Sequence, residues 1–477
     1  MLFNSLQFGI YFIVVTVAYF AIPHRYRWLL LLLASCYFYM AFIPIYILIL
    51  AFTITVDYFV GIGLEKSEGR SRKWLLITSL AGNVGVLAFF KYFGFLNENL
   101  AALLHSLSIG YAVPNLGIIL PIGLSFHTFQ SMSYIIEIYK RRQKAEHHFG
   151  IFALYVMFYP QLVAGPIERP QHMLHQFYEQ HAFDYERVVS GLRLIAWGLF
   201  KKVVIADRLA IFVNMAYAHP QDYTGFGHIL ATVFFAYQIY CDFSGYTDIA
   251  RGSARVLGFR LMENFQQPYL SASIPEFWRR WHISLSSWLR DYVYFPLGGS
   301  RVRLPRVLLN SLIVFLLSGL WHGANWTFVV WGGLHGLYII ANTLLAAPVM
   351  RTLNRLGPRL RPLWRVLGTT LTFCLVAFAW IFFRAPSLPA AWDIVSRLFI
   401  DMRPQLQFGA GFGLVPGILV VVSIVAMEVV TYLHLHGRLN LEQRAPLLRW
   451  GAYAAVVSLI ALFGVIQSEA QFIYFQF

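Results

Sequence analysis

Charge is scarce in this chain. Asp, Glu, Lys and Arg together make up 12% of its 477 residues, against roughly 25% in soluble globular domains. A soluble fold of that length needs far more polar surface, so the composition points to a polytopic membrane protein. Cysteine is rarer still. Cys36, Cys241 and Cys374 stand far apart, each in an apolar stretch, which excludes a disulfide framework or a CxxC site and leaves all three as expected core residues. No Lys or Arg comes before Arg25. A cleaved secretory signal needs a positive region ahead of its apolar core, so the first apolar run, Phe8–Ile22, is expected to be a membrane span. The chain has no G-x-S-x-G elbow, no H-E-x-x-H zinc helix and no P-loop. No histidine pair has convincing metal-ligand spacing either, so no metal is expected. Fixed-period repeats are absent too, which removes the best sequence pointer to a secondary transporter.

Apolar sequence is what the chain has in quantity, 58% of it, with a formal charge of +15. The Lys and Arg clusters punctuate apolar spans and form no single basic face, so membrane lipid is the expected environment and nucleic acid is not an expected partner. A span takes about 20 apolar residues. The candidates are Phe8–Ile22, Trp28–Met40, Ile43–Gly63, Trp74–Phe95, Leu116–Ile138, Ile151–Ala164 and Leu192–Val213. They continue with Ile229–Ile249, Leu308–Leu320, Trp326–Leu345, Val366–Phe383, Leu414–Leu433 and Trp450–Ile466. Trp28–Met40, Ile151–Ala164 and Leu308–Leu320 look too short to cross alone. The expectation is an all-α membrane protein of about eleven crossings plus re-entrant or interfacial helices, in one domain spanning residues 1–477.

Basic loops set the orientation. His24–Arg27 follows the first span, while Lys66–Lys73 and Lys140–Lys144 carry four basic residues each and Asn97–Gly117 carries none. The positive-inside rule puts the three basic loops in the cytoplasm. Arg351–Arg365 holds five arginines and the tail after Trp450 holds none, so both termini are expected outside the cytoplasm.

The central third departs from simple spans. Phe158–Pro170 is apolar but interrupted by three prolines and a glycine; such broken backbone is tolerated at membrane depth where it lines a cavity. Leu199–Arg208 mixes basic and apolar residues and suggests a helix lying at the cytoplasmic interface. Asp242 and Asp248 fall in an apolar span, where acids face a bundle interior or cavity. They suit a hydrogen-bonded structural network or a direct chemical role.

The densest signal runs from Ser273 to Gly336. Ser273 with Glu276 three residues on is a capping box, so a helix is expected to begin there. Along it Ile274, Phe277, Trp281, Leu285, Trp288 and Tyr292 recur on one face, with Arg279, Arg280, Ser287 and Arg290 around the other. His282 sits at the border of that stripe, placed either to look into a cavity or merely to snorkel toward water. His322 lies inside an apolar run, with Gly319, Gly323, Gly332 and Gly333 thinning the backbone and Trp321, Trp326 and Trp331 walling it. Asn325 is one turn on and would orient the imidazole if the segment is helical. Histidine suits proton transfer near neutrality; a buried one also serves to hold two helices together, and both roles stay open. His335 is expected to be structural.

Glu276–Ser286 (EFWRRWHISLS), Trp288–Tyr292 (WLRDY) and Leu317–Trp326 (LSGLWHGANW) closely resemble the membrane-bound O-acyltransferase family. So do Pro121–Phe126, Tyr159–Pro166 and Asp242–Tyr246. The likeness covers about residues 1–390, is tightest over 237–336 and is greatest to the alginate O-acetyltransferase-like bacterial branch. Cys241, where an aromatic residue is expected, is a small departure. The resemblance implies helices ringing a thinned centre with a channel, and a catalytic core of about residues 116–345. It implies that His322 and His282 are the catalytic histidines, with Asn325, Trp321, Trp281, Arg290, Asp291 and Asp242 as candidate lining residues. The implied donor is acetyl-CoA, a substrate and not a bound cofactor. The implied acceptor is an alginate- or cellulose-like exopolysaccharide, reached through a separate extracytoplasmic acetyltransferase, at a bacterial inner membrane. Two alternatives stay open: D-alanyl transfer from a carrier protein to teichoic acid, and a non-enzymatic conduit gated by His322.

Overall fold

The computed structural model describes every residue except 115, 164, 357–359, 405–411, 439–444, 466–471 and 474–477, with the side chains of 350 and 352–356 also outside its description. Parts of the Tyr159–Pro166 motif, of the Asn97–Gly117, Arg351–Arg365 and Arg384–Gly413 loops and of the chain end, Phe477 included, therefore lie outside the described residues. Those that are described form helices and no strand. In order they are α1 (Leu6–Ala21), α2 (His24–Met40), α3 (Ile47–Lys66), α4 (Gly69–Leu87), α5 (Phe93–Ser106), α6 (Leu124–Tyr139) and α7 (Phe149–Met157). Two single-turn helices follow, α8 (Tyr159–Leu162) and α9 (Pro170–Met173), then α10 (Tyr185–Leu199), α11 (Asp207–Ala218) and α12 (Gly225–Leu257). The remainder are α13 (Ile274–Arg280), α14 (Ile283–Leu289), α15 (Leu304–His322), α16 (Trp326–Leu356), α17 (Arg361–Arg384), α18 (Leu388–Arg397), α19 (Leu414–Leu435) and α20 (Pro446–Phe463).

Seven stretches among the described residues are helical, long and apolar enough to cross a membrane: Pro44–Lys66, Gly69–Ser106, Leu304–His322, Trp326–Val349, Arg361–Arg384, Leu414–Leu435 and Pro446–Phe463. Leu308–Leu320, which looked too short, is part of the 19-residue α15, whose first turn accommodates Pro305. Proline there removes only an amide that has no helical partner anyway. The chain falls into two compact units, Met1–Ile195 with Ile249–Met262, and Ala196–Asp248 with Glu263–Phe477.

In the first unit, α3 and α4 are joined by a buried polar clasp: Asp57 accepts from Ser79 Oγ at 2.6 Å and from Asn83 Nδ2 at 2.9 Å. The basic loops gather at one end of this unit. Arg141 pairs with Glu68 at 3.1 Å, Arg72 Nη2 donates to Ile138 O at 2.6 Å, Arg27 Nη1 donates to His181 O at 2.6 Å, and Tyr178 Oη donates to Glu146 at 2.7 Å. The segment after α7 breaks as its prolines dictate, with α8 lasting four residues before non-helical chain resumes.

The second unit corrects one expectation outright. Phe200–Ala206 does not expose a basic face as an interfacial helix would; it is a π-helical turn whose residues are all buried within the protein. Lys202 Nζ sits 2.6 Å from Asp242 Oδ1 and 2.8 Å from Asp207 Oδ1, and Lys201 Nζ sits 2.6 Å from Asp248 Oδ2. Carboxylates from the start of α11 and from α12 offset the cost of burying both ammonium groups. Gly245 permits the approach, because a Cβ there would fall 2.8 Å from Gly198 O. Asp242 and Asp248 therefore belong to a structural ion-pair network. Cys241 is buried as expected, but Cys374 is exposed on the outside of a span-forming helix and is not a core residue.

Candidate active site

His322 is the last residue of α15. Gly323 takes an extended conformation and stops the helix, and a Cβ at that position would lie 2.1 Å from the Phe328 ring. Two further glycines bring α15 and α16 into backbone contact just before this end. A Cβ on Gly319 would meet Phe328 O at 2.2 Å, and one on Gly332 would meet Phe315 O at 2.3 Å. The glycine-thinned backbone expected around His322 is thus a helix–helix crossing, and it fixes where the imidazole emerges.

The imidazole is 4% exposed and enclosed by aromatic rings. Its centroid lies 4.9 Å from Trp321, 5.0 Å from Trp331 and 5.2 Å from Phe383, each near perpendicular. Trp331 is fully buried and its indole N–H has no acceptor among the described residues. A buried donor without a partner is uncommon in folded proteins and invites an explanation. The Trp331 ring borders two imidazoles, His322 at 5.0 Å and His335 at 4.9 Å.

Asn325 does not extend α15 toward the histidine as a helical reading would have it. Its Oδ1 accepts from Thr327 N at 3.0 Å at the start of α16, and its Nδ2 donates to Pro386 O at 3.0 Å. The glycine break at 323 separates it from the helix that carries His322, so its evident part is to restart the chain.

His282 occupies a second break. The helix start is capped as expected, with Ser273 Oγ accepting from Glu276 N at 3.3 Å, but Glu276 Oε2 reaches one residue past the N-cap and accepts from Ala272 N at 2.9 Å. The single long helix does not form. α13 ends at Arg280, and His282 adopts φ 43°, ψ 56° before α14 begins. Asn264 holds this kink: its carbonyl accepts from Ile283 N at 3.0 Å and its Oδ1 from Ser284 N at 3.1 Å. A non-glycine residue in the left-handed region costs of order 1–3 kcal/mol, and such strain concentrates at functional sites. The kink turns His282 fully inward, 4.7 Å from Phe243 and 6.0 Å from Trp321. Both histidines therefore pack against the same indole, Trp321.

The other candidates divide. Trp281 is 1% exposed and packs on Phe265 and Trp380, each at 5.1 Å, as an aromatic core residue. Asp242 serves one step removed: its Oδ2 accepts from Ile473 N at 2.7 Å, its Oδ1 binds Lys202, and the next residue, Phe243, carries the His282 contact. Arg290 and Asp291 pair with each other at 2.8 Å with side chains 57% and 34% exposed, unlike the buried histidines. His335 accepts from Trp278 Nε1 at 3.3 Å, a contact between α13 and α16. Sequence reasoning missed Phe383 and Phe243. The aromatic run at the end of α17 and the position beside Asp242 were the available signals. Among the described residues no cluster of three or more His, Cys, Asp or Glu side chains is placed to hold a metal ion.

Residues 124–366, which include this whole arrangement of histidines and glycines, match the family model described as membrane-bound O-acyltransferase. A protein of Pseudomonas aeruginosa named "Probable alginate O-acetylase" is 39% identical over 407 residues, covering 84% of this chain and 75% of that protein. The peptidoglycan O-acetyltransferase of Helicobacter pylori is 34% identical over 77% of this chain and 73% of its own length. The teichoic acid D-alanyltransferase of Bacillus subtilis is 27% identical, over 45% of this chain and 57% of its own.

Proposed function

The chain belongs to the membrane-bound O-acyltransferase family, and from that premise we propose that it moves an acetyl group from cytoplasmic acetyl-CoA for O-acetylation of an extracytoplasmic polysaccharide. It is an O-acyltransferase and a multi-pass membrane protein. The single observation carrying the finer reading is His322 in its aromatic box, at a backbone crossing that only glycines allow. A base there takes the proton of an attacking hydroxyl as its oxygen bonds to the thioester carbonyl carbon. The carbon–sulfur bond then breaks, and the leaving thiolate takes the proton from the imidazolium. The Trp331 N–H is a donor available to the oxyanion that develops in between. His282 acts beside it across Trp321.

The D-alanyl alternative has weaker support, since its relatives are only 27% and 28% identical, over 45% and 55% of the chain. Acetylated exopolysaccharide is finished outside the membrane, yet the outer loops Asn97–Leu116 and Arg384–Gly413 are short and carry no serine-nucleophile motif. The acetyl group is therefore handed to a separate extracytoplasmic acetyltransferase with its own serine. Both termini lie outside the cytoplasm of an inner membrane on this reading, and a cytoplasm-restricted reporter fused at Met1 should be silent. The decisive experiment supplies labelled acetyl-CoA to purified protein in liposomes. Wild type should release or transfer label, and well-inserted His322→Ala should lose roughly 10²–10⁴-fold of that rate. Undiminished transfer by His322→Ala would remove the catalytic assignment. Full-rate acetylation of an oligosaccharide by the chain alone would remove the relay.

A further inference from the structure

The first unit holds a cavity of about 710 Å³, none of whose lining residues belongs to a span-forming helix. Its walls are the turns between α9 and α10, the first turns of α10, and the end of α12 with the residues just after it. Three arginines face it: Arg187, Arg255 and Arg260. The two acids that share the lining are already engaged. Glu179 lies 3.6 Å from His175, and Asp184 caps α10 by accepting from Arg187 N at 2.6 Å. Among the described residues, neither the Arg187 nor the Arg260 guanidinium has a carboxylate partner. Arg187 Nη2 donates to Ala182 O at 2.5 Å, which leaves its Nε buried and without an acceptor. Arg255 Nη1 donates to Ser190 Oγ at 3.0 Å.

The rim is built, not loose. Gly258 at φ +108° turns the chain out of α12, and a Cβ there would strike His181 at 2.5 Å. Gln176 clamps the backbone of Arg260 from both sides, accepting its N–H at 2.8 Å and donating to its carbonyl at 3.1 Å. Buried Glu168 accepts from Met262 N at 2.6 Å. Beside the arginines, the His181 ring lies 4.9 Å from buried Phe259, so an aromatic face adjoins the positive one. Guanidinium groups favour phosphate through paired, charge-assisted hydrogen bonds, and a ring stacks on such a face. The cavity also shares the end of the unit where the three basic loops gather, the end the positive-inside rule assigns to the cytoplasm.

We propose that this cavity binds a phosphate-bearing ligand of nucleotide size, its phosphates on Arg187, Arg255 and Arg260 and its ring against His181 and Phe259. The same phosphate chemistry is offered by a soluble nucleotide or by an anionic lipid headgroup. The inference stands on this unit alone and does not require the acyl-transfer reading.

The test uses full-length protein in nanodiscs and a probe with no acyl group, adenosine 3′,5′-bisphosphate, with adenosine as control. Arg260 is exposed, so Arg260→Gln puts folding at little risk, and Arg187→Gln is the second variant. Binding of the bisphosphate but not of adenosine, weakened about tenfold by either variant, is the expected result for a soluble ligand. A second arm titrates the detergent-solubilised protein with vesicles containing phosphatidylglycerol or only phosphatidylcholine. Variant-sensitive binding to the anionic vesicles alone would identify a lipid headgroup as the ligand. Failure of both probes, or binding that neither variant alters, overturns the proposal whatever the acetyl-transfer assay returns.

Discussion

Lys202→Met removes the cation that bridges two buried carboxylates, Asp207 and Asp242. The lysine side chain is 1% exposed and those of Asp207 and Asp242 are 4% exposed, at 2.8 and 2.6 Å from its Nζ. Breaking a buried ion pair from one side costs about 3–5 kcal/mol, because the remaining charge is left uncompensated. Two carboxylates lose their partner here, so the upper part of that range is expected. Replacing a whole buried ionic group by neutral residues is often close to neutral in energy. The triple variant Lys202→Met, Asp207→Asn, Asp242→Asn should therefore recover most of the loss. The amide oxygen that replaces the Asp242 carboxylate can still accept from Ile473 N, the contact made at 2.7 Å in the native chain. Thermal unfolding in detergent, followed by tryptophan emission, ranks the three proteins. An unshifted midpoint for the single variant, or a triple variant less stable than the single one, would refute the reasoning.

Gly332→Ala places a methyl 2.3 Å from Phe315 O, forcing α15 and α16 apart near His322. Since about 1 Å of misplacement can cost 10²-fold in rate, acetyl transfer should fall far more than insertion or folding does, and equal activity would contradict the crossing's role. Trp331→Phe keeps an aromatic ring, though a smaller one, and deletes the unpartnered N–H; kcat should drop by about 10²-fold with KM unchanged if that group meets the oxyanion, and a change in KM alone would make it a binding residue. His172 lies 2.7 Å from Glu168, and that hydrogen bond raises its pKa above the ordinary 6.5. A raised folded value stabilises fully below about 6.5 and is lost as pH climbs through it, so His172→Gln should lower the unfolding midpoint at about pH 6 and much less at about pH 9. The nearby His175–Glu179 pair is intact in both proteins and cancels in the difference; an equal gap at both pH values would refute the linkage.

The fold class was legible because burial in a membrane leaves its mark on composition itself. Helix starts were legible where a side chain makes them, as at Ser273. What sequence periodicity could not convey was interruption. The aromatic stripe from Ile274 to Tyr292 has helical spacing throughout, yet Asn264 captures the amides of Ile283 and Ser284 and forces the turn at His282. That capture comes from a residue outside the stripe, and no window centred on the stripe contains it. Lys201 and Lys202 misled for a related reason. Two lysines among apolar residues suit an interface as well as a buried ion-pair network, and the choice rests on Asp242 and Asp248, far along the chain.

The candidate site was legible in part, and the division has a physical basis. His322 stood out because an ionisable side chain in an apolar run needs a reason, and the glycines around it supplied one before any coordinate did. Asn325 was misplaced because its distance from His322 was counted along a helix that Gly323 ends. Arg290 and Asp291 carry the family's motif but satisfy each other at an exposed turn. Phe243, which carries no polar atom to attract notice, turns out to touch His282 while its neighbour Asp242 binds Lys202. That adjacency couples the buried ion-pair network to the site through one backbone step. The Lys202→Met protein should therefore lose acetyl transfer at temperatures where it is still folded, since a shift of Asp242 moves the ring on which His282 rests. Transfer that survives unchanged up to the unfolding midpoint would show that the network supports the fold without positioning the histidine.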